Sequence, residues 1–140
     1  HECKLDAKGR LVLPSRLKSV LPEASKKSII IRKGFESNLI IYPITEFQHI
    51  YTRINSLNEF SSEQRKLKRN LFSGISQIEF DSNGRFLIPK NMISHCGIER
   101  EVILIGVGNI IELWNPKSYK NNLIKDSKEF SSLAQKYLDI

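Results

Sequence analysis

Features that mark secreted, membrane-spanning or disulfide-linked proteins are scarce in this 140-residue chain. Its two cysteines, Cys3 and Cys96, cannot form a disulfide framework or a CxxC site. Apolar runs such as residues 39–42 fall far short of the roughly 18 residues that a membrane-spanning helix requires, and no signal-peptide pattern is present. We therefore expect a cytoplasmic protein in a reducing compartment, with no membrane partner. The chain begins at His1 rather than at Met, so we expect a few native N-terminal residues to be missing or replaced.

Catalytic and metal-binding patterns are also absent from the sequence. The three histidines, His1, His49 and His95, are far apart, and no zinc-protease, serine-hydrolase or nucleotide-binding motif occurs. The His, Cys and acidic residues form no cluster with metal-ligand spacing. We therefore expect no enzymatic activity, no cofactor, no metal site and no small-molecule substrate.

Positive charge is concentrated in the first half of the chain. Lys plus Arg total 22 and Asp plus Glu total 15, which gives a net charge of +7. Residues 1–70 contain 14 basic and 7 acidic residues, whereas residues 71–140 contain 8 of each, so the entire surplus lies in the first half. A surplus confined to one segment indicates a surface that faces a polyanion.

The sequence contains an internal repeat. An Asp-x-x-Gly-Arg segment, followed by three apolar residues and a proline, occurs at residues 6–14 and again at 81–89, an offset of 75. The apolar segments 29–31 and 39–43 recur 73 positions later. A copy of about 45 residues is too small to bury a sizeable core alone. The two copies are therefore expected to pack on each other as an intramolecular pseudo-dimer.

The pattern of each copy predicts a strand, a three-residue turn ending in glycine, a second strand, a short helix and two more strands. The short helices are expected at residues 14–21 and 89–96, and the later strands at 28–33, 39–42, 102–106 and 110–114. Between the copies, one helix carries Phe47, Ile50, Ile54 and Leu57. A second, basic helix begins near Ser61 and stops at Gly74, and a third is expected to run from Pro116 to Leu138.

The doubled Asp-x-x-Gly-Arg segments, with the order and spacing of the later strands, resemble the MraZ family, whose repeats have the AbrB-type swapped-hairpin fold. The resemblance covers nearly the whole chain. It implies an α+β fold in which two AbrB-like repeats form a β-rich pseudo-dimeric barrel, with helices between the repeats and at the C-terminus. The corresponding division is 1–58 for the first repeat and its following helix, 59–74 for the basic connecting helix, 75–119 for the second repeat and 120–140 for a helical tail.

The same resemblance implies a function. Members of this family are sequence-specific DNA-binding regulators, mostly repressors, which lack enzymatic activity and assemble into rings. They bind direct repeats of double-stranded DNA upstream of their own operon, in the cell-wall and cell-division gene cluster. A nucleoid-associated homo-oligomer is therefore expected.

Nine residues are candidates for contacting DNA. The family's DNA-contacting segment, carried over by position, gives Asp6, Lys8, Gly9, Arg10, Asp81, Gly84 and Arg85. The chemistry of the first copy adds Lys4 and Arg16 as contacts to the DNA backbone. Arg10 is the candidate for reading a base edge, because its guanidinium fork can bond two guanine acceptors at once. Of the basic candidates in the first copy, only Arg10 has a basic counterpart in the second, so the first copy is expected to face the phosphates and Arg85 to be a secondary contact.

Alternatives stay open for several of these features. Asp6 and Arg10 either contact DNA or pair with each other across the turn, and Gly9 and Arg85 have either functional or structural roles. The basic side chains at 65–69 lie on a helix face that is either solvated or bound to DNA. The apolar stripe at 119–138 is expected to dock on the domain or on a neighbouring subunit. The rival function is an antitoxin-like protein-interaction module whose basic loop binds an acidic partner, and RNA binding is a third.

Overall fold

The computed structural model describes residues 1–22 and 26–140. Its strands, in chain order, are β1 (Glu2–Lys4), β2 (Arg10–Val12), β3 (Ser28–Lys33), β4 (Asn38–Tyr42), β5 (Ile75–Glu79), β6 (Arg85–Leu87), β7 (Glu101–Val107) and β8 (Ile110–Trp114). Its helices are α1 (Ser15–Lys18), α2 (Ile44–Asn55), α3 (Ser62–Ser73), α4 (Lys90–Cys96), α5 (Pro116–Asn121) and α6 (Ser127–Leu138).

A six-stranded antiparallel sheet lies at the centre of the molecule. Its strand order is β1-β7-β8-β4-β3-β5, so each edge strand pairs with a strand from the other copy of the repeat. At one edge, Cys3 of β1 lies opposite Val102 of β7. A separate two-stranded ribbon pairs β2 with β6 and places Leu11 opposite Phe86. The two copies therefore exchange strands, and neither forms a complete sheet of its own.

The segments on either side of each predicted turn do not pair as a simple hairpin. The turn at residues 6–10 is closed by a 2.9 Å hydrogen bond from the Asp6 backbone N–H to the Arg10 carbonyl oxygen. Beyond the turn, β1 and β2 diverge and join different sheets. Local periodicity predicts the turn but contains no information about the partner of each strand. Pairing across the copies buries Leu11 and Phe86 against the larger sheet.

The six-stranded sheet carries an apolar core on each face. One face is covered by the β2–β6 ribbon, α1 and α4, which bury side chains such as Ile29 and Leu104. The other face is covered by α2, which packs around Ile30, and α3 joins it through a ring contact of 5.6 Å between Tyr51 and Phe72. Successive side chains of a strand point to opposite faces. The ribbon and the basic helix α3 therefore lie on opposite sides of the sheet.

Two helix predictions need correction. The predicted helix at 14–21 is only the single turn of α1. The single helix predicted from Pro116 to Leu138 is wrong, because the chain forms α5 and α6 with a break between them. Asp126 begins α6 by accepting a 3.0 Å hydrogen bond from the Lys128 backbone N–H, and an N-cap of this kind starts a new helix.

The mixed α+β class is confirmed, and strands β3 and β8 have the predicted boundaries. The strands form two sheets, and closure into one barrel stays a prediction. Over the two described ranges, none of the helices is both long and apolar enough to cross a bilayer.

Candidate nucleic-acid interface

The first Asp-x-x-Gly-Arg turn is organised around the carboxylate of Asp6. Its Oδ1 accepts hydrogen bonds of 2.9 Å from the backbone N–H groups of Lys8 and Arg10. Its Oδ2 accepts a 2.7 Å hydrogen bond from Nε of Arg10. Asp6 therefore shapes the turn and holds one edge of the Arg10 guanidinium. Among the described residues, neither Nη atom of Arg10 has a hydrogen-bond partner.

The second turn repeats this arrangement. Oδ1 of Asp81 accepts hydrogen bonds of 2.9 Å from the backbone N–H groups of Asn83 and Arg85, and Oδ2 accepts a 2.9 Å hydrogen bond from Nε of Arg85. The pairing of aspartate and arginine across the turn, one of the two roles considered for these residues, thus occurs in both copies. It leaves the outer edge of each guanidinium available for a ligand.

The hydrogen bonds to each aspartate stabilise its ionised form. The pKa of Asp6 is lowered from 3.8 to about 2, mainly by the backbone N–H of Arg10, with further contributions from the Arg10 side chain and the Lys8 N–H that together outweigh partial desolvation. The pKa of Asp81 is also lowered, chiefly by the backbone N–H of Arg85. Both turns therefore keep their anionic anchors at any physiological pH.

Glycine is required in both turns, but the two turns have different surroundings. Gly9 and Gly84 adopt φ values of 83° and 74°, in the left-handed region that side chains disfavour. The Gly9 carbonyl oxygen accepts a 3.1 Å hydrogen bond from the Ile88 N–H, and a Cβ at Gly9 would lie 3.3 Å from Cδ1 of Ile93. A Cβ at Gly84 would meet no described atom within 4 Å. The first turn is therefore docked on α4, whereas the second is open.

Strand exchange brings both arginines to one surface, the outer face of the β2–β6 ribbon. Leu11 and Phe86 point inward and are each 1% exposed. The alternate side chains point outward, with Arg10 opposite Leu87 and Arg85 opposite Val12. The two arginines are therefore diagonal neighbours, for which Cα separations of about 7–8 Å are usual in a ribbon. We call these four outward residues the ribbon face.

Further cations flank the ribbon face. Lys8 is exposed at the tip of the first turn, and Arg16 is exposed on α1, which follows β2 directly. Lys4 does not join this group: it is exposed on β1, in register with Glu101, and lines a groove with Pro116 and Lys120. Asn83 takes the position of Lys8 in the second turn and supplies no charge.

Two cations beside the turns were missed by sequence comparison. Lys90 begins α4, next to the docked first turn, and it aligns with an uncharged serine of the first copy. Lys18 of α1 lines a groove shared with Asp81 and Gly84 of the second turn. Each turn thus lies beside a helix of the other copy that carries a lysine, Lys90 for the first turn and Lys18 for the second. The difference in positive charge between the two turns is therefore smaller in the folded protein than in the sequence. It depends on the strand exchange, which brings each turn beside a helix of the other copy.

Within residues 1–22 and 26–140, no three His, Cys, Asp or Glu side chains are grouped so that they could hold a metal ion. Burial raises the pKa of the Cys96 thiol to about 12, so this cysteine is not activated as a nucleophile. The surface is suited to recognising an anion by charge and hydrogen bonding.

Comparison with known proteins identifies the family. The family described as "MraZ protein, putative antitoxin-like" matches residues 1–70 and again residues 71–139. This chain belongs to the MraZ family. The two matches correspond to the two copies of the repeat, and they confirm the resemblance inferred from the doubled Asp-x-x-Gly-Arg segments.

Individual MraZ relatives match over the whole chain. A protein named transcriptional regulator MraZ from Cytophaga hutchinsonii is 48% identical over 138 residues, covering 99% of this chain and 91% of the relative. Proteins of the same name from Christiangramia forsetii and Flavobacterium psychrophilum are 37% and 31% identical, each covering 99% of this chain and 90% and 88% of the relative, respectively. The chain is therefore a transcriptional regulator of the MraZ family. Transcriptional regulation is not an enzymatic activity, so the expectation that the protein is not an enzyme is confirmed.

Proposed function

We propose that the protein is a sequence-specific repressor that binds direct repeats of double-stranded DNA upstream of its own operon, in the cell-wall and cell-division gene cluster. The observation that carries this proposal is the ribbon face, which presents Arg10 and Arg85 together on one outward surface. The major groove of B-DNA admits a two-stranded β-ribbon. The diagonal spacing of the arginines, about 7–8 Å, corresponds to about two base-pair steps of 3.4 Å.

The aspartates prepare the arginines for base recognition. Because Asp6 and Asp81 occupy the Nε atoms, each guanidinium is held by one edge, and the aspartates leave its Nη atoms free to bind a base. Two parallel N–H groups match the O6 and N7 acceptors of guanine. An arginine held in this way loses less side-chain freedom on binding than an unrestrained one. Gly9 and Gly84 support the same purpose by permitting the backbone conformation of the turns.

The surrounding lysines and Arg16 have a different role in this proposal. Lys4, Lys8 and Arg16 are exposed side chains that contact phosphates, which fixes the position of the protein on DNA without reading sequence. Lys18 and Lys90 extend this basic rim to both ends of the ribbon. Such contacts release counterions and make binding depend on salt concentration.

The proposal includes a ring-like homo-oligomer in the cytoplasm, associated with the nucleoid. The helix α6 has no buried residue, and its apolar side chains Phe130, Leu133 and Tyr137 are exposed. An exposed apolar stripe of this kind is suited to a protein contact, here with a neighbouring copy. Linked copies could engage consecutive direct repeats, and the effective concentration of the second contact raises the overall affinity. We also propose that the chain divides into a first repeat with its following helix at 1–58, a connecting helix at 59–74, a second repeat at 75–119 and a helical tail at 120–140.

A binding titration tests the proposal against its rival. Labelled upstream DNA and a scrambled duplex of equal length and composition are titrated with wild-type protein at several salt concentrations. Preference for the upstream duplex supports the proposal, whereas equal and weak binding to both favours the antitoxin-like interaction module with an acidic partner. Lys4→Ala is expected to weaken binding to both duplexes alike and to reduce the salt dependence by about one phosphate contact.

A further inference from the structure

Each arginine of the ribbon face lies directly opposite an exposed aliphatic side chain. Arg10 faces Leu87 across the ribbon, and Arg85 faces Val12. Leu87 is 52% exposed and Val12 is 51% exposed, although the residues immediately before and after each of them in the chain are only 1% exposed. The arrangement is symmetric, because exchanging the two copies of the repeat converts one arginine–aliphatic pair into the other.

Neither aliphatic side chain is needed for the core. The inward residues Leu11 and Phe86 make the contacts with the six-stranded sheet, whereas Val12 and Leu87 point away from it. A single exposed aliphatic residue needs no explanation. Two of them, each about 4.5–5.5 Å from a base-reading arginine when measured between directly opposite Cβ atoms, form an apolar component of the same recognition surface.

We propose that Val12 and Leu87 contact the C5-methyl groups of thymines that lie next to the guanines bound by Arg85 and Arg10. This inference rests on the proposed function and adds a second base to what each half of the ribbon face reads. In the major groove, the methyl group distinguishes thymine from the other bases, and apolar side chains recognise it by contact. The separation across the ribbon corresponds to between one and two base-pair steps of about 3.4 Å.

The test removes the methyl groups from the DNA and leaves the protein unchanged. The upstream duplex is prepared once with thymine and once with deoxyuridine in place of every thymine, and the dissociation constant of the full-length wild-type protein is measured for each. Burying one methyl group contributes about 0.8 kcal/mol, which corresponds to about fourfold in affinity, so two contacts predict about a fifteenfold weakening in the deoxyuridine duplex.

Protein variants separate methyl contact from changes in DNA shape. In the double variant Val12→Ser and Leu87→Ser, the ratio of the two dissociation constants is expected to fall to about one, and each single variant should retain about half of the effect on a logarithmic scale. Leu67→Ser is the matched control, since Leu67 is 47% exposed but lies on α3. This control should keep the full wild-type ratio.

The possible results are distinguishable from failure of the proposed function. Wild-type protein that prefers the upstream sequence over scrambled DNA, but binds the thymine and deoxyuridine forms of the upstream duplex equally well, refutes the methyl contact. The proposed function then stands. If the double serine variant keeps the wild-type ratio, the effect comes from DNA shape and the inference is also refuted. If wild-type protein shows no preference for upstream DNA of either kind, the proposed function and this inference fail together.

Discussion

Adjacent residues of the β2–β6 ribbon lie on its buried and its exposed face, so we expect their substitution to destabilise the protein to very different extents. Phe86 is 1% exposed and packs edge-to-face on Phe80 with ring centroids 5.6 Å apart, so Phe86→Ala removes a buried ring and leaves a cavity. Substitutions of this kind cost about 3–5 kcal/mol. Leu87→Ala removes one methine and two methyl groups, worth about 0.8 kcal/mol each when buried, but Leu87 is half exposed already, so its cost is about 1 kcal/mol.

Urea unfolding measures both costs with an intrinsic probe. The chain has one tryptophan, Trp114, which is buried at the end of β8, so its fluorescence follows loss of the sheet. Protein concentration must be held constant, because association raises the apparent stability. Equal costs for Phe86→Ala and Leu87→Ala, or a larger cost for Leu87→Ala, would refute the register of the ribbon, since a shift of one residue turns every side chain to the other face.

Three further predictions concern the turns and the oligomer. Gly9→Ala and Gly84→Ala are each expected to cost about 1–2 kcal/mol in urea unfolding, because both backbones are left-handed, and Gly9→Ala should cost more, because its methyl group meets α4. The pKa of Asp6 is lowered from 3.8 to about 2, so the stability that its carboxylate contributes is present above pH 3.8 and is lost as pH falls through about 2. The carboxyl carbon resonance of Asp6 should titrate near pH 2. A midpoint near 3.8 would contradict the hydrogen-bonded turn. Light scattering should show that Phe130→Glu with Tyr137→Glu reduces the mass of the wild-type oligomer, and a wild-type monomer at working concentration would rule out the ring.

The elements of the fold were predictable where the signal is local. The strands at 28–33 and 110–114 and the three-residue turns that end in glycine follow from short-range chemistry and are found as predicted. The exchange of β2 and β6 between the copies was not visible in the strand periodicity, because the partner of a strand is fixed by burial across the whole chain. The break between α5 and α6 was missed because Asp126 has to be recognised as an N-cap within a continuous apolar stripe.

The residues of the candidate site were likewise predictable only where the signal lies in the sequence itself. The repeated motif identified both arginines, and comparison of the copies singled out Arg10 because of its basic neighbours. The comparison gave no reason to consider Leu87 or Val12, because their positions beside the arginines depend on the cross-strand register. Lys90 was missed because it aligns with an uncharged residue, and it becomes relevant only when α4 packs beside the first turn.

If the ribbon face reads DNA through its arginines, removing them must change binding differently from removing the same charge elsewhere. The affinity for upstream and scrambled duplexes is measured for Arg10→Ala with Arg85→Ala, and for Arg65→Ala with Arg69→Ala. Both double variants lose the same charge, but the second pair lies on α3, across the sheet from the ribbon.

Each ribbon-face substitution should cost about 1–3 kcal/mol on upstream DNA and reduce the preference over scrambled DNA. The α3 variant should keep that preference. A folded Arg10→Ala, Arg85→Ala protein that binds upstream DNA as tightly and selectively as wild type would refute base recognition by the ribbon face.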